Sequence, residues 1–291
     1  MFWKNQNRIA IILTVMQALE KILKGRKSLC FIDLEGTQFS HEMIAIGAVQ
    51  VDVRKDGSVK KIHKGYYTLA KPKSRIGKVV TDLTGITEKD VKEKGVPFRV
   101  VMRDLKKYMG AYYTKCLFVA FGNHDFRIMA QSLAHNLDVN KEDVETVIKH
   151  QFDLAEFLST YVKDENNNNL SLANFLKVFN IEFKGTQHNA LADTLNLVYL
   201  YDAFIKNTEI VVNEYRKTLG MYRHLPEPIH MAIEKLARKE NVSAEEFESY
   251  VRDSLKWSSI QTDKHLITNK STQLKFRENR NLFPMETEEW I

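Results

Sequence analysis

The spacing of hydrophobic residues changes from extended to helical along the chain. A short apolar run at residues 28–32 predicts a buried strand. The β-branched run at 43–53 is followed by Asp56-Gly57, a strong turn signal, and residues 60–69 predict the returning strand of an antiparallel meander. An amphipathic helix within residues 1–26 precedes these strands and ends near Gly25.

Helical periodicity dominates after Pro97. A helix is predicted from this residue to Gly110, followed by a second buried strand, CLFVAF, at 116–121. Further helices are predicted at 125–136, 152–161, 170–178 and 189–205. The chain begins with consecutive strands and continues with strands and helices in alternation. This order predicts an α/β domain with a mixed sheet covered by helices.

A boundary near residue 207 separates this domain, residues 27–206, from a helical extension at 207–291. Residues 226–255 predict two amphipathic helices, the second with a Ser243-x-x-Glu246 capping box. The segment faintly resembles a ribbon-helix-helix DNA-binding unit. An ordinary helical hairpin is the simpler interpretation, and its apolar faces could pack on the preceding domain, a second copy or another protein.

Composition narrows the class of protein. With 44% hydrophobic and 27% charged residues, the chain has ordinary globular composition, which excludes a disordered protein. Its two cysteines, Cys30 and Cys116, cannot form a disulfide framework or a four-thiolate zinc site. We expect buried, inert thiols in a reduced cytoplasmic protein. No run of 18 uncharged apolar residues predicts a membrane span.

The net charge of +6 is concentrated in one segment. Residues 54–103 contain 14 Lys and Arg against 5 Asp and Glu, and the rest of the chain is close to neutral. Such a local excess favours an acidic partner, of which nucleic acid is the commonest. A solubilising surface is the alternative, and charge alone leaves both open.

Acidic residues cluster at the ends of three predicted elements. Asp33 and Glu35 follow the first strand and, because side chains alternate along a strand, point to the same side. Asp125 follows the CLFVAF strand, and Asp193 enters a helix shortly after His188. Converging carboxylates need cations, and oxygen ligands select Mg²⁺ or Mn²⁺. Taken singly, Asp125 could be a helix N-cap and His188 a surface residue.

Three segments together resemble one family. FIDLEGT at 31–37, AFGNHDF at 120–126 and HNALADT at 188–194 are similar to the three motifs of the DEDDh 3′–5′ exonucleases of the ribonuclease H-like superfamily. They occur in that family's order, and LTGIT at 83–87 is similar to its segment between the first two motifs. The resemblance covers roughly residues 27–206.

The resemblance implies a five-stranded sheet, three strands antiparallel and two parallel, with the active site at one end. Asp33, Glu35, Asp125 and Asp193 would bind two divalent cations, and His188 would be the general base. Thr194 stands where the family more often has alanine. The implied reaction is hydrolysis of single-stranded nucleic acid from 3′ ends to nucleoside 5′-monophosphates, with RNA favoured over DNA.

Five further residues are candidate substrate contacts. Leu34, Thr37 and Phe39 lie beside the first motif, and Arg75 and Lys78 lie in the basic segment. Phe39 could stack on a terminal base or belong to the core. A DNA proofreading or repair exonuclease is the alternative function within the same class. A protein that only binds 3′ ends is the alternative outside it, and the complete set of five catalytic residue types disfavours it.

Overall fold

The computed structural model describes Val15, residues 17–220, six residues between 231 and 243, and residues 244–260. The chain divides into two compact units. The larger unit holds residues 20–159 and 169–207, and the smaller unit holds the described residues of 1–19, 160–168 and 208–291. The predicted domain limits at 27 and 207 stay predictions.

One mixed sheet forms the centre of the larger unit. Its strands are β1 (Ser28–Gly36), β2 (Met43–Val53), β3 (Val59–Ile62), β4 (Tyr66–Leu69), β5 (Leu117–Ala120) and β6 (Gln151–Asp153). The order is β3-β2-β1-β5-β6, with β4 also paired to β2. β2 is antiparallel to β1, β3 and β4, whereas β5 runs parallel to β1 and β6. The predicted mixed sheet is confirmed.

The returning strand is split into two segments. Val51 pairs with Ile62 but Ala48 pairs with Tyr66, so three residues face two on β2. This one-residue excess acts like a β-bulge and interrupts the ladder between β3 and β4. The predicted single strand at 60–69 is therefore two strands.

Helices cover the sheet. In the larger unit they are α1 (Lys78–Thr84), α2 (Glu88–Lys94), α3 (Phe98–Met109), α4 (His124–His135), α5 (Lys141–Lys149), α6 (Leu154–Ser159), α7 (Leu172–Val178) and α8 (Ala190–Lys206). The smaller unit contains α9 (Thr208–Gly220) and α10 (Ala244–Ile260). Residues 17–23 are also helical. The predicted helix at 152–161 begins only at Leu154, because Phe152 belongs to β6.

The core lies on both faces of the sheet. On one face Cys30, Ile32 and Leu34 of β1 pack with residues of α3, α4 and α5. On the other face α8 packs against β1 and β2, with the rings of Phe31 and Tyr201 5.3 Å apart. Each cysteine is buried and free, and burial raises the pKa of Cys116 to about 12. The expectation of buried thiols is confirmed.

The smaller unit confirms one detail of the C-terminal prediction. The Ser243 hydroxyl accepts a hydrogen bond from the Glu246 backbone N–H at 3.1 Å and caps α10. The first predicted helix of the pair and the proposed ribbon lie mostly outside the described residues. In the part of the chain that the structure describes, no helix is both long and apolar enough to cross a membrane.

Candidate active site

Strand β1 supplies two acidic side chains to one side of the sheet. Asp33 and Glu35 are partly exposed, whereas Leu34 between them is 4% exposed and packs in the core. This alternation follows from the pleat of a β-strand. Asp33 and Glu35 therefore share one side, as the sequence predicts.

Asp125 joins this side through the parallel pairing of β5 with β1. It lies in the first turn of α4, just beyond the end of β5, and is buried. Its Oδ1 accepts a hydrogen bond from the Leu34 backbone N–H at 2.6 Å. The N-cap position belongs to Asn123. Asp125 is thus tied to β1 rather than capping its own helix.

The first turn of α8 places Asp193 beside the carboxylates of Asp33 and Glu35. The Asn189 side chain caps this helix by accepting a hydrogen bond from the Ala192 N–H at 3.1 Å. Gly47 of β2, which pairs with Asp33, allows the start of α8 to lie close to the sheet. A Cβ at this position would lie 2.2 Å from the Ala190 carbonyl oxygen. A side chain here would push the start of α8 away from the sheet.

His188 lies exposed in the loop before α8. Its backbone is left-handed, with φ of 63°. Buried Asn196 fixes the loop, since its side chain accepts a hydrogen bond from the Lys184 N–H at 2.9 Å and donates one to the Lys184 carbonyl at 2.8 Å. Glu35, His188 and Asp193 each offer one possible metal-ligand atom, and these three atoms lie within 4.8 Å of one another.

The electrostatics of this group indicate a cation site. Burial, then repulsion from Asp193 and Asp125, raises the pKa of Glu35 to about 8. Burial raises the pKa of Asp125 to about 7, against the lowering effect of its bond from Leu34. The pKa of Asp33 is raised well above its usual range by burial and by all three other carboxylates. Four neighbouring carboxyl groups cannot all be ionised without a large cost in free energy unless positive charge lies nearby.

The residues present fit a divalent metal. Burial raises the pKa of Asp193, while a backbone hydrogen bond from His188 and the His188 ring oppose this. The group offers four carboxylates, which are oxygen ligands, with one imidazole beside them. Hard cations such as Mg²⁺ prefer oxygen ligands.

A fifth acidic residue, Asp153, supports the site and was missed from the sequence. It ends β6, and its Oδ1 accepts hydrogen bonds from the N–H groups of Gly122 and Glu156, both at 3.0 Å. Its charge also raises the pKa of Asp125. The sequence-based prediction placed Asp153 inside a helix starting at 152 and so did not include it in the site. An aspartate directly before an apolar helical pattern is nevertheless a usable signal of a helix N-terminus.

Two of the predicted substrate contacts lie inside the protein. Leu34 is 4% exposed and Thr37 is 1% exposed. The Thr37 hydroxyl shares a 2.7 Å hydrogen bond with Ser40 and accepts one from the Glu42 N–H at 3.0 Å. Burial leaves neither side chain available to a ligand. Thr37 instead stabilises the turn after β1.

The other three predicted contacts are exposed: Phe39 and Arg75 lie on two loops, and Lys78 begins α1. Phe39 is 81% exposed, which excludes the core alternative, and Arg75 and Lys78 are also exposed. Glu42 connects the two loops, because its carboxylate accepts hydrogen bonds from the backbone N–H groups of Lys73 at 2.9 Å and Ser74 at 3.0 Å.

A backbone hydrogen bond also joins the loops, from Gln38 to Ile76 at 2.8 Å. The two connections therefore hold the loop of Phe39 beside the loop of Arg75, which leads into α1 at Lys78. These three exposed side chains are called the rim.

Comparison with known proteins agrees with this arrangement. The sequence model of the exonuclease family, RNase_T, matches residues 30–201, a range that contains all four carboxylates and His188. The chain belongs to the exonuclease family. The resemblance inferred from the three motifs is thereby confirmed. No curated protein sequence matches this exonuclease.

Solved structures share the fold. The nuclease domain of 3′hExo, a DEDDh family member bound to rAMP, superposes with a TM-score of 0.52 at 18% identity, covering 62% of this chain and 93% of that one. Cell-death related nuclease 4 gives 0.51 at 19%, covering 62% and 64%. Exonuclease I of E. coli with an oligonucleotide gives 0.50 at 14%, covering 64% and 42%. These likenesses establish the ribonuclease H-like fold of this exonuclease.

Proposed function

We propose that this exonuclease removes nucleoside 5′-monophosphates stepwise from the 3′ ends of single-stranded nucleic acid, with RNA preferred over DNA. The observation that carries the proposal is the convergence of four carboxylates and His188 at one edge of the sheet, with acid pKa values raised by burial and by mutual repulsion. The LTGIT stretch at 83–87, similar to RNA-trimming members, supports the RNA preference.

Asp33, Glu35, Asp125 and Asp193 would hold two divalent cations, Mg²⁺ or Mn²⁺. Such ions, when bound, neutralise charge that develops on the phosphate oxygens and on the leaving oxygen. The protein contributes fixed carboxylate positions: Asp125 is held by the Leu34 N–H. The bond to the backbone keeps this carboxylate oriented before any substrate arrives.

His188 is assigned as the general base. Its exposed ring lies next to Glu35 and Asp193, so a water molecule beside the scissile phosphate is within its reach. A ring nitrogen accepts the proton of that water as the water oxygen attacks phosphorus. The Asn196 anchor holds the His188 loop on α8.

The rim formed by Phe39, Arg75 and Lys78 is assigned to the substrate. The 81% exposed ring of Phe39 can stack on a base without a change in conformation. The two exposed cations can bind phosphates of the nucleotides upstream. Stacking and charge contacts tolerate many sequences, which is consistent with end-trimming.

A labelled-oligonucleotide assay tests the proposal. The full chain is incubated with 5′-labelled single- and double-stranded RNA and DNA, with Mn²⁺ or with EDTA. A 3′–5′ exonuclease gives a ladder of shortening labelled products that EDTA abolishes, whereas cleavage from the 5′ end releases the labelled nucleotide at once. Asp33→Ala should be inactive, and Asp82→Ala, an exposed acid on α1, should match the wild type.

Each outcome has a defined meaning. Faster degradation of RNA supports the proposal in full, and faster degradation of DNA favours the proofreading or repair alternative. Binding of 3′ ends with no degradation in Mn²⁺ would overturn catalysis and favour an end-binding protein. Full activity of Asp33→Ala would overturn the site assignment.

A further inference from the structure

A second concave site lies in the larger unit, at the opposite end of β1 from the carboxylates. A cavity of about 680 Å³ opens where the chain enters β1 and leaves β2. Because a strand rises about 3.3 Å per residue, the six residues from Lys27 to Asp33 separate the two sites by about 20 Å. The side chains that define the cavity are Arg26, Lys27, Arg54, Lys55, Lys60 and Tyr112.

The cavity carries an excess of positive charge, since five cations and two acids line it. Two acids, Glu20 and Asp52, also line it, but Asp52 is paired with His63 at 2.9 Å. Within the described residues, none of the five cations forms an ion pair. By contrast, Lys106 on α3 is paired with Asp143 at 2.6 Å. Unpaired cations gathered in a concavity attract anions.

Backbone hydrogen bonds orient two of these side chains, Arg54 and Arg26. Arg54 is held in place, because its Nη1 donates a hydrogen bond to the Val59 carbonyl at 2.6 Å. Arg26 donates through Nη1 to the Leu23 carbonyl at 3.3 Å, while its Nε is buried and, among the described residues, has no acceptor. A guanidinium group has five N–H donors, so both arginines keep further donors that an anionic oxygen can accept.

We infer that this cavity is a metal-independent binding site for a phosphorylated ligand of nucleotide size. The cations take the phosphates, and the 41% exposed ring of Tyr112 offers an aromatic face to a base. The volume falls within the range of small-molecule sites, about 300–1,000 Å³. Free nucleotides and the nucleotides of a polynucleotide share this chemistry. The inference does not depend on nuclease activity.

Binding measurements in EDTA test the inference with the full chain. ATP is titrated by calorimetry, and a fluorescein-labelled oligothymidylate is titrated by anisotropy. Without cations the carboxylate site repels anions. The rim is unchanged in the cavity variant and in its control, so a loss confined to the cavity variant reports on the cavity. Lys55→Glu/Lys60→Glu should weaken binding about tenfold or more, because two attractive charges become repulsive. The control Lys89→Glu/Lys92→Glu makes the same charge change on exposed residues of α2 and should bind normally.

A second variant covers a folding defect in the first. Tyr112→Ala keeps every cation, and should weaken binding of ATP but leave that of pyrophosphate unchanged. Loss of ATP binding alone in the cavity variant assigns the site to free nucleotides, and loss of oligonucleotide binding alone assigns it to polynucleotide. Unchanged binding of both probes in the cavity variant overturns the inference. Absence of binding by both probes overturns the inference. An equal loss in the cavity variant and its control also overturns it, since net charge would then explain the effect.

Discussion

The metal-free protein should lose stability as the pH rises from about 5 to 8, because of Glu35. Burial and the charges of Asp193 and Asp125 raise the pKa of this carboxyl from 4.5 to about 8. Between these values the folded chain binds a proton that the unfolded chain has released. The stability that the proton provides is complete below the unfolded pKa and is lost as the pH rises through the folded one.

The magnitude follows from the shift. One pK unit corresponds to about 1.4 kcal/mol, so two pH units inside this window reduce the free energy of unfolding by about 3 kcal/mol through Glu35 alone. The pKa of Asp125, raised to about 7, adds to the same trend. Because the acids repel one another, their protons belong to the group, and the contributions do not simply add.

Urea denaturation in EDTA at pH 5.5 and pH 7.5 measures this difference. Glu35→Gln should remove about 3 kcal/mol of it, since the amide does not titrate. Glu93→Gln, at an exposed position on α2, is the control and should behave as the wild type. Mg²⁺ added at pH 7.5 should restore stability by binding the folded state. A Glu35→Gln protein with the wild-type pH dependence would refute the electrostatic argument.

Three further predictions concern catalysis and packing. His188→Ala should lower the turnover number about 10²–10⁴-fold and leave metal affinity unchanged, as measured by single-turnover kinetics and Mn²⁺ titration; a defect mainly in affinity would make it a ligand. Arg75→Ala/Lys78→Ala should reduce the salt dependence of single-strand binding by up to about two phosphate contacts, read from log–log plots of affinity against salt; an unchanged slope contradicts the rim assignment. Gly47→Ala should destabilise the fold and lower activity, because its Cβ meets the backbone at the start of α8. Gly65→Ala is the milder control, because its Cβ meets side-chain atoms alone, those of Leu191 and Val49. Equal melting temperatures of the two variants would contradict this.

The elements that carry the site were predictable because their signals are local. Alternation along β1 places Asp33 and Glu35 on one side, and the strongly apolar spacing of α8 marks the helix that carries Asp193. The family's three motifs then fixed how these elements come together. The exposure of Phe39 was left open by the sequence, since an aromatic residue after a strand suits either core or surface.

The elements that were missed depend on contacts distant in sequence. β6 has three residues and exists through its parallel pairing with β5, so local spacing assigned Phe152 to a helix. Helices α1 and α2 have seven residues each. α1 contains no buried residue and α2 contains one, Val91, so neither helix shows a periodic hydrophobic pattern in the sequence. Burial of Thr37 and the left-handed backbone of His188 arise from tertiary packing, which composition and spacing do not encode.

Glu42 makes the attachment of two loops independent of the side chains that those loops display. This one buried carboxylate fastens the loop of Phe39 to the loop of Arg75 through main-chain N–H groups. Main-chain donors are present whatever side chains the loops carry. Substitutions of the exposed rim side chains therefore leave the attachment intact and leave the four clustered acids in place. If the rim binds substrate as proposed, evolution or protein engineering can vary its side chains without rebuilding the acid cluster.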